Sequence, residues 1–147
     1  MTAPTSDRFD LTGRVAIITG GAGLLGRQHA HAIAGAGGRV VLADIAGDAA
    51  SEAAAEIGAA HGVDVLGVAG DVTDKAAVEQ MARVVLERLG RIDILINNAA
   101  MTVKGGGAQS GDYFARFEDY PLELWDAALR VNLTGAFLCC QAVGREM

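Results

Sequence analysis

Apolar residues gather in short runs along the chain, and between the runs they recur at helical spacing. RVAIIT (14–19), RVVLAD (39–44), VDVLGVAGD (63–71) and RIDILINN (91–98) have strand length, and each is bounded by Gly, Asp or Asn. Between them, Leu24 to Gly35, Ala46 to Ala60 and Asp74 to Leu89 read as helices. In the last of these, Val78, Met81, Ala82, Val85, Leu86 and Leu89 fall on one helical face, and Gly90 stands where a left-handed cap would sit. Strands apolar on both faces and joined by helical crossovers predict an α/β fold, a doubly wound parallel sheet. The order expected is 3-2-1-4. Ile92, Ile94, Leu95 and Ile96 give the fourth run two apolar faces, yet no later strand-like run is present to cover its outer edge. Further on, Trp125, Leu129, Asn132, Ala136, Cys140 and Val143 form a stripe that predicts the buried face of another helix.

The first strand-like run ends in TGGAGLLG, Thr19 to Gly26, half of it glycine, and a helix follows directly. Such a turn aims free backbone N–H groups and the positive end of the helix dipole at whatever lies above it, most often a pyrophosphate. Gly20 suits the tight turn, Gly23 removes a side chain where phosphates approach, and Gly26 lets helix and strand pack closely. Glycines also serve ordinary turns, so the neighbouring residues matter. The second run ends at Asp44, at a spacing suited to a carboxylate that accepts hydrogen bonds from ribose hydroxyls. No Lys or Arg follows it, and a 2′-phosphate would meet like charge, which favours NAD over NADP. Asp44 also reads as a helix-capping or loop carboxylate.

Composition narrows the partners. The chain has 147 residues, 51% of them hydrophobic, enough for one compact domain over 1–147. Its net charge of −6 carries no basic cluster, which argues against a nucleic acid or an anionic membrane and for a small-molecule substrate. The polar start, with 1–13 expected to be a flexible segment, and the lack of a long apolar run predict a cytoplasmic protein. The loop from Lys104 to Asp112 is expected to be flexible as well. Cys139 and Cys140 are adjacent and read as small core residues. His29 and His31, two apart on a helix, point to different faces and cannot share a metal; with His61 they read as solvent or interface residues, and no metal site is expected.

Taken in order from about Arg14 onward, these motifs resemble the short-chain dehydrogenase/reductase family, whose fold is Rossmann-like. The resemblance implies that Asp71 and Val72 contact the adenine ring. It implies that Asn97, Asn98, Ala99 and Ala100 match the family's Asn-Asn-Ala-Gly segment, which supports the sheet and lines the cofactor. With Thr19, Leu24, Leu25 and Ile45, these complete the expected cofactor-binding set. Asn132, in RVNLTGAF, matches the asparagine of the family's catalytic proton relay; the alternative is an amide satisfied by neighbouring backbone. The glycine turn departs from the usual dehydrogenase spacing, with Leu24 at the second glycine, and reads Thr-Gly-x-x-Gly-x-x-Gly as in the extended, sugar-nucleotide branch. Ala100 replaces the segment's last glycine. NNAA followed by VNLTG is nearer the dehydrogenase branch.

The family's chemistry also needs a tyrosine acid/base, a lysine four residues later and a serine. Here Tyr113 and Tyr120 are the only tyrosines, and Phe117 and Leu124 stand four residues beyond them. The expectation is therefore the NAD-binding half of an oxidoreductase, truncated at its C-terminus and from a homo-oligomeric parent that acts on a carbonyl or secondary alcohol. A complete, non-catalytic dinucleotide-binding module and an epimerase-like fragment are the alternatives.

Overall fold

The computed structural model describes residues 9–101 and 116–147. Its elements are β1 (Val15–Thr19), α1 (Leu24–Gly35), β2 (Arg39–Asp44), α2 (Gly47–His61), β3 (Val65–Ala69), α3 (Lys75–Leu89), β4 (Ile94–Ile96), α4 (Leu122–Leu129) and α5 (Ala136–Val143). A π-helical segment, Arg130–Gly135, joins α4 to α5 without leaving helical backbone angles. The loop expected at Lys104 to Asp112 and residues 1–8 of the N-terminal segment lie outside the described residues. Leu11, within that segment, donates its N–H to the Ala36 carbonyl.

The strands form one parallel sheet in the expected order β3-β2-β1-β4. Ile17 of β1 sits opposite Val41 on one side and Leu95 on the other. Alternation along β1 and β2 supplies two cores. Val15, Ile17, Val41 and Ala43 pack with Val78, Met81 and Val85 of α3 and with Cys139 and Val143 of α5. Ile18, Val40 and Leu42 face the alanine-rich sides of α1 and α2, around Ala30, Ala34, Ala53 and Ile57. Small side chains there let both helices lie close to the sheet. The expected cap at Gly90 is in place on α3, at φ 79°, and at the other end the Asp74 carboxylate caps the helix by accepting the Ala76 N–H at 2.9 Å. Among the described residues, no helix is long and apolar enough to cross a membrane.

β4 is the edge strand of the four, half-buried throughout, and it is shorter than the apolar run that encodes it. Its entrance is fixed by Asp93, whose carboxylate accepts the Val15 N–H at 2.9 Å and pairs with Arg14 and Arg91. Arg91, with Arg14 and the Val15 amide, holds this carboxyl far below the usual range despite the desolvation that opposes it. A carboxyl with a lowered native pKa contributes stability that is complete above its unfolded value, about 3.9, and is lost as pH falls through the native value. Asp93→Ala is expected to cost about 2 kcal/mol at neutral pH, because it leaves the buried Val15 N–H unpaired. In urea titrations, the gap to the parent should be constant above about pH 4 and should narrow progressively as pH falls below it toward the native value of this carboxyl. A gap independent of pH would show that the charge does not hold this corner.

The helix after Pro121 corrects two expectations. Its buried positions are Gly135, Cys139 and Val143. Of the predicted stripe, Trp125, Leu129, Asn132 and Cys140 are exposed and Ala136 is half-buried; only Val143 is buried. The π segment inserts an extra residue per turn and rotates the face that follows. A close approach then selects the side that packs: a methyl group on Gly135 would stand 2.8 Å from Val72 Cγ2, so only glycine lets the helix settle there. Cys139 is a core residue, its thiol pushed up to about 11 by burial and then by the neighbouring Cys140, whereas Cys140 is on the surface.

Candidate functional site

Beyond the carboxyl ends of the strands lies a cleft of about 980 Å³. Gly20, Gly23, Leu24, Leu25, Asp44, Ile45, Asp71, Val72, Asn98, Ala99 and Ala100 all line it. These residues come from four separate strand ends. Of the expected set, Thr19, Gly26 and Asn132 are not among the lining residues.

The glycines of the turn serve two purposes. Gly20 has φ 63°, and a Cβ there would lie 2.9 Å from the Ala99 Cα. Gly21 would bring a Cβ to 2.7 Å from the Leu42 Cα, and Gly26 would collide with the Gly20 carbonyl. Packing of the chain on itself demands those three. Gly23 is different: its φ of −72° and ψ of 169° suit any residue, and the nearest atom to a Cβ would be the Gly20 carbonyl at 3.3 Å. Gly23 lines the cleft and leaves its wall bare at that point. Gly23 is also the N-cap of α1, with no side-chain hydrogen bond and no acidic residue in the first turn. The leading N–H groups of α1 and the positive end of its dipole therefore lack the usual internal acceptor.

Asp44 spans the cleft's second corner. Its Oδ2 accepts the Ala22 N–H at 3.1 Å and its Oδ1 the Ala46 N–H at 3.0 Å. The carboxylate thus ties the glycine turn to the start of α2, the loop role that sequence also allowed. Each oxygen retains acceptor capacity for one more donor. Leu24 and Ile45, 80% and 77% exposed, give this corner an apolar rim. Asp71 turns back on its own loop, accepting the Thr73 N–H and hydroxyl at 2.8 Å each.

The opposite wall is a clamp between the ends of β1 and β4. Thr19, buried, accepts the Asn98 and Ala99 N–H groups on Oγ1, each at 3.1 Å. Asn98 Nδ2 donates to the Thr19 carbonyl at 2.9 Å and to the Gly20 carbonyl at 3.1 Å. Asn97 points away and donates to Cys140 Sγ. Asn132 holds the next stretch of backbone: its Oδ1 accepts the Met101 N–H at 2.7 Å, and its Nδ2 donates to the Met101 carbonyl at 3.3 Å. The amide is satisfied by neighbouring backbone and lies inside the π segment, a distortion frequent at functional sites.

The third wall escaped the sequence reading. Glu123, Asp126, Ala127 and Arg130 line the cleft at the i, i+3, i+4, i+7 spacing of one helical face, and Val131 joins them. In the sequence that polar stripe runs beside a longer apolar one, whose spacing is the stronger signal for a buried face. Arg130 is the only cationic side chain among the described residues of the wall.

Three comparisons bear on this cleft. The family model for short chain dehydrogenase matches residues 14–147. D-threitol dehydrogenase of Mycolicibacterium smegmatis is 39% identical over 139 residues, which is 95% of this chain and 49% of that protein. Crystal structures of NAD+-bound xylitol dehydrogenase and of NADPH-dependent 3-quinuclidinone reductase from Rhodotorula rubra are each 34% identical, with a TM-score of 0.82 in both cases. The first match covers 93% of this chain and 49% of that one, and the second 99% and 52%. The chain thus spans about half the length of these relatives. With the sheet order, the strand-end cleft and a family match running from Arg14 to the last residue, the chain belongs to the short chain dehydrogenase family of oxidoreductases.

Proposed function

We propose that the cleft binds NAD and that the chain is the cofactor half of a dehydrogenase acting on a secondary alcohol or the matching carbonyl. The observation that carries this reading is the bare Gly23 at the uncapped start of α1, facing the same cleft as the Asp44 carboxylate. The pyrophosphate would lie on the leading N–H groups of α1, where its charge meets the helix dipole. The adenosine ribose hydroxyls would donate to the two Asp44 oxygens, with the adenine between Ile45, Asp71 and Val72. The Thr19–Asn98 clamp holds Ala99 and Ala100 in place as the floor under the nicotinamide end. Asn132 acts through Met101, as a positioning residue for that floor. When bound, NAD supplies the hydride acceptor; this chain's residues orient it and exclude water from its apolar rim.

The matched relatives are dehydrogenases and reductases, which favours that branch over an epimerase-like one. D-threitol and xylitol dehydrogenases carry polyol substrates in their names, and a polyol is the substrate class we propose for the whole protein.

The relatives include both an NAD+-bound and an NADPH-dependent protein, so the cofactor choice rests on Asp44. Calorimetry should find NAD bound more tightly than NADP. Asp44→Ala is expected to weaken NAD by about 1–2 kcal/mol, the scale of hydrogen bonds to a charged acceptor. It should also shift the NAD/NADP ratio toward NADP, since the repulsion of a 2′-phosphate is removed. General damage to the fold would weaken both and leave the ratio unmoved. Tighter NADP binding by the parent chain would overturn the assignment.

A further inference from the structure

We propose that His31 and His61 form a surface site for a borderline divalent transition-metal ion, of the Ni2+ or Cu2+ type, that staples α1 to α2. His31 Nδ1 and His61 Nε2 lie 2.9 Å apart, and the ring centroids are 5.2 Å apart. The residues are thirty positions apart in sequence, so the contact exists only because the two helices pack side by side on one face of the sheet.

The nitrogens' separation before the rings turn is nearest to one class of ion, and the general order of metal affinity favours the same class. A metal held by two imidazole nitrogens at about 2.0–2.1 Å each, with the nitrogens 2.9 Å apart, subtends about 90°. A tetrahedral ion such as zinc would need the nitrogens about 3.3 Å apart. Right-angled pairs of imidazoles suit the tetragonal or octahedral ions, and Cu2+ and Ni2+ stand highest in affinity among those. In the metal-free pair, one ring donates to the other along the line between the nitrogens. Chelation requires both lone pairs to turn about 45° off that line toward solvent, along torsions that are soft for histidine. Both rings have room to do so, because His31 is only half-buried and His61 is exposed.

The surroundings favour a cation. His61 is the last residue of α2, which Gly62 closes at φ 68°, so the negative end of that helix dipole lies beside it. Gly35 of α1 presents no side chain to the His61 ring, which passes 3.5 Å from where a Cβ would be. One turn before His31, Arg27 is already neutralised by its ion pair with Glu56. Among the described residues, no group of three His, Cys, Asp or Glu side chains could hold an ion, so water would complete the coordination.

The test is calorimetric titration of the full chain with NiCl2 in a non-coordinating buffer. One Ni2+ per chain is expected for the parent and for His29→Ala, which lies outside both the pair and the cleft. Removing even an outer-shell partner costs a metal site about 10–100-fold in affinity, and His31→Ala or His61→Ala should cost at least as much. His61→Gln keeps the bulk of the ring position and should behave like His61→Ala. Ni2+ should raise the melting temperature of the parent and of His29→Ala, but not of the three pair variants, because a bound ion stabilises only the state that holds it. Circular dichroism establishes that the variants fold. No Ni2+ binding by the parent, or undiminished affinity in either folded alanine variant, would overturn the site.

Discussion

Gly23→Val is expected to abolish NAD binding in a chain that still folds, whereas Gly20→Val should damage the fold itself. The contrast follows from the backbone. Gly20 sits at φ 63°, a conformation that costs an ordinary L-residue roughly 1–2 kcal/mol and a β-branched one more. Its Cβ would also press on the Ala99 backbone at 2.9 Å, and the Thr19–Asn98 clamp prevents that segment from yielding. At Gly23 the extended backbone angles suit valine, whose Cβ would meet only the Gly20 carbonyl, at 3.3 Å, a contact relieved by a shift of a few tenths of an ångström; the residue lines the cleft rather than the core. The added atoms would occupy the space through which phosphate oxygens reach the N–H groups of α1. A loss of about a thousandfold, or roughly 4 kcal/mol, would turn a micromolar ligand into a millimolar one, near the limit of direct calorimetry. The measurement pairs NAD titration with thermal melts on both variants. Undiminished NAD affinity in a folded Gly23→Val chain would remove the pyrophosphate from this turn.

The chain by itself is expected to turn over no alcohol or carbonyl. Under the proposed function its cleft would orient a cofactor, but neither tyrosine is followed four residues later by lysine, and Tyr120 is not among the cleft's lining residues. General acid/base catalysis is worth about 10²–10⁴-fold, and the grip on the substrate oxygen is lost with it. Trp125, Leu133 and Phe137 are 53%, 64% and 59% exposed, and they add an apolar helix face to an edge of β4 that no strand pairs among the described residues. Both should drive self-association of the isolated chain. NADH absorbance against a panel of polyols and ketones, together with light scattering, tests the two expectations at once. Steady turnover that follows the protein through purification, from a monodisperse monomer, would show the cofactor-half reading to be wrong.

Local chemistry determined much of this protein. The apolar runs RVAIIT and RVVLAD became β1 and β2 because their residues alternate between two helix-covered faces, and both faces must be apolar whatever the partner. Gly90 ended α3, and the glycine turn opened α1, because those backbone conformations belong to glycine or suit it in any context. Asp44, Asp71 and Asn98 reached the cleft because strand ends in such a sheet converge. What sequence could not decide were matters of contact between distant segments. Periodicity marked an apolar stripe through Trp125 and Cys140. The π segment then rotated the helix, and the fit of Gly135 against Val72 chose the other side to bury. The pairing of His31 with His61 depends on how closely two alanine-faced helices approach, which no spacing along the chain encodes. Asn132 was placed by its motif, but whether its amide faced water or backbone was settled only when Met101 came within 2.7 Å of it. Short-range rules act through bonded neighbours and are legible residue by residue; packing depends on shapes that exist only once the chain has closed on itself.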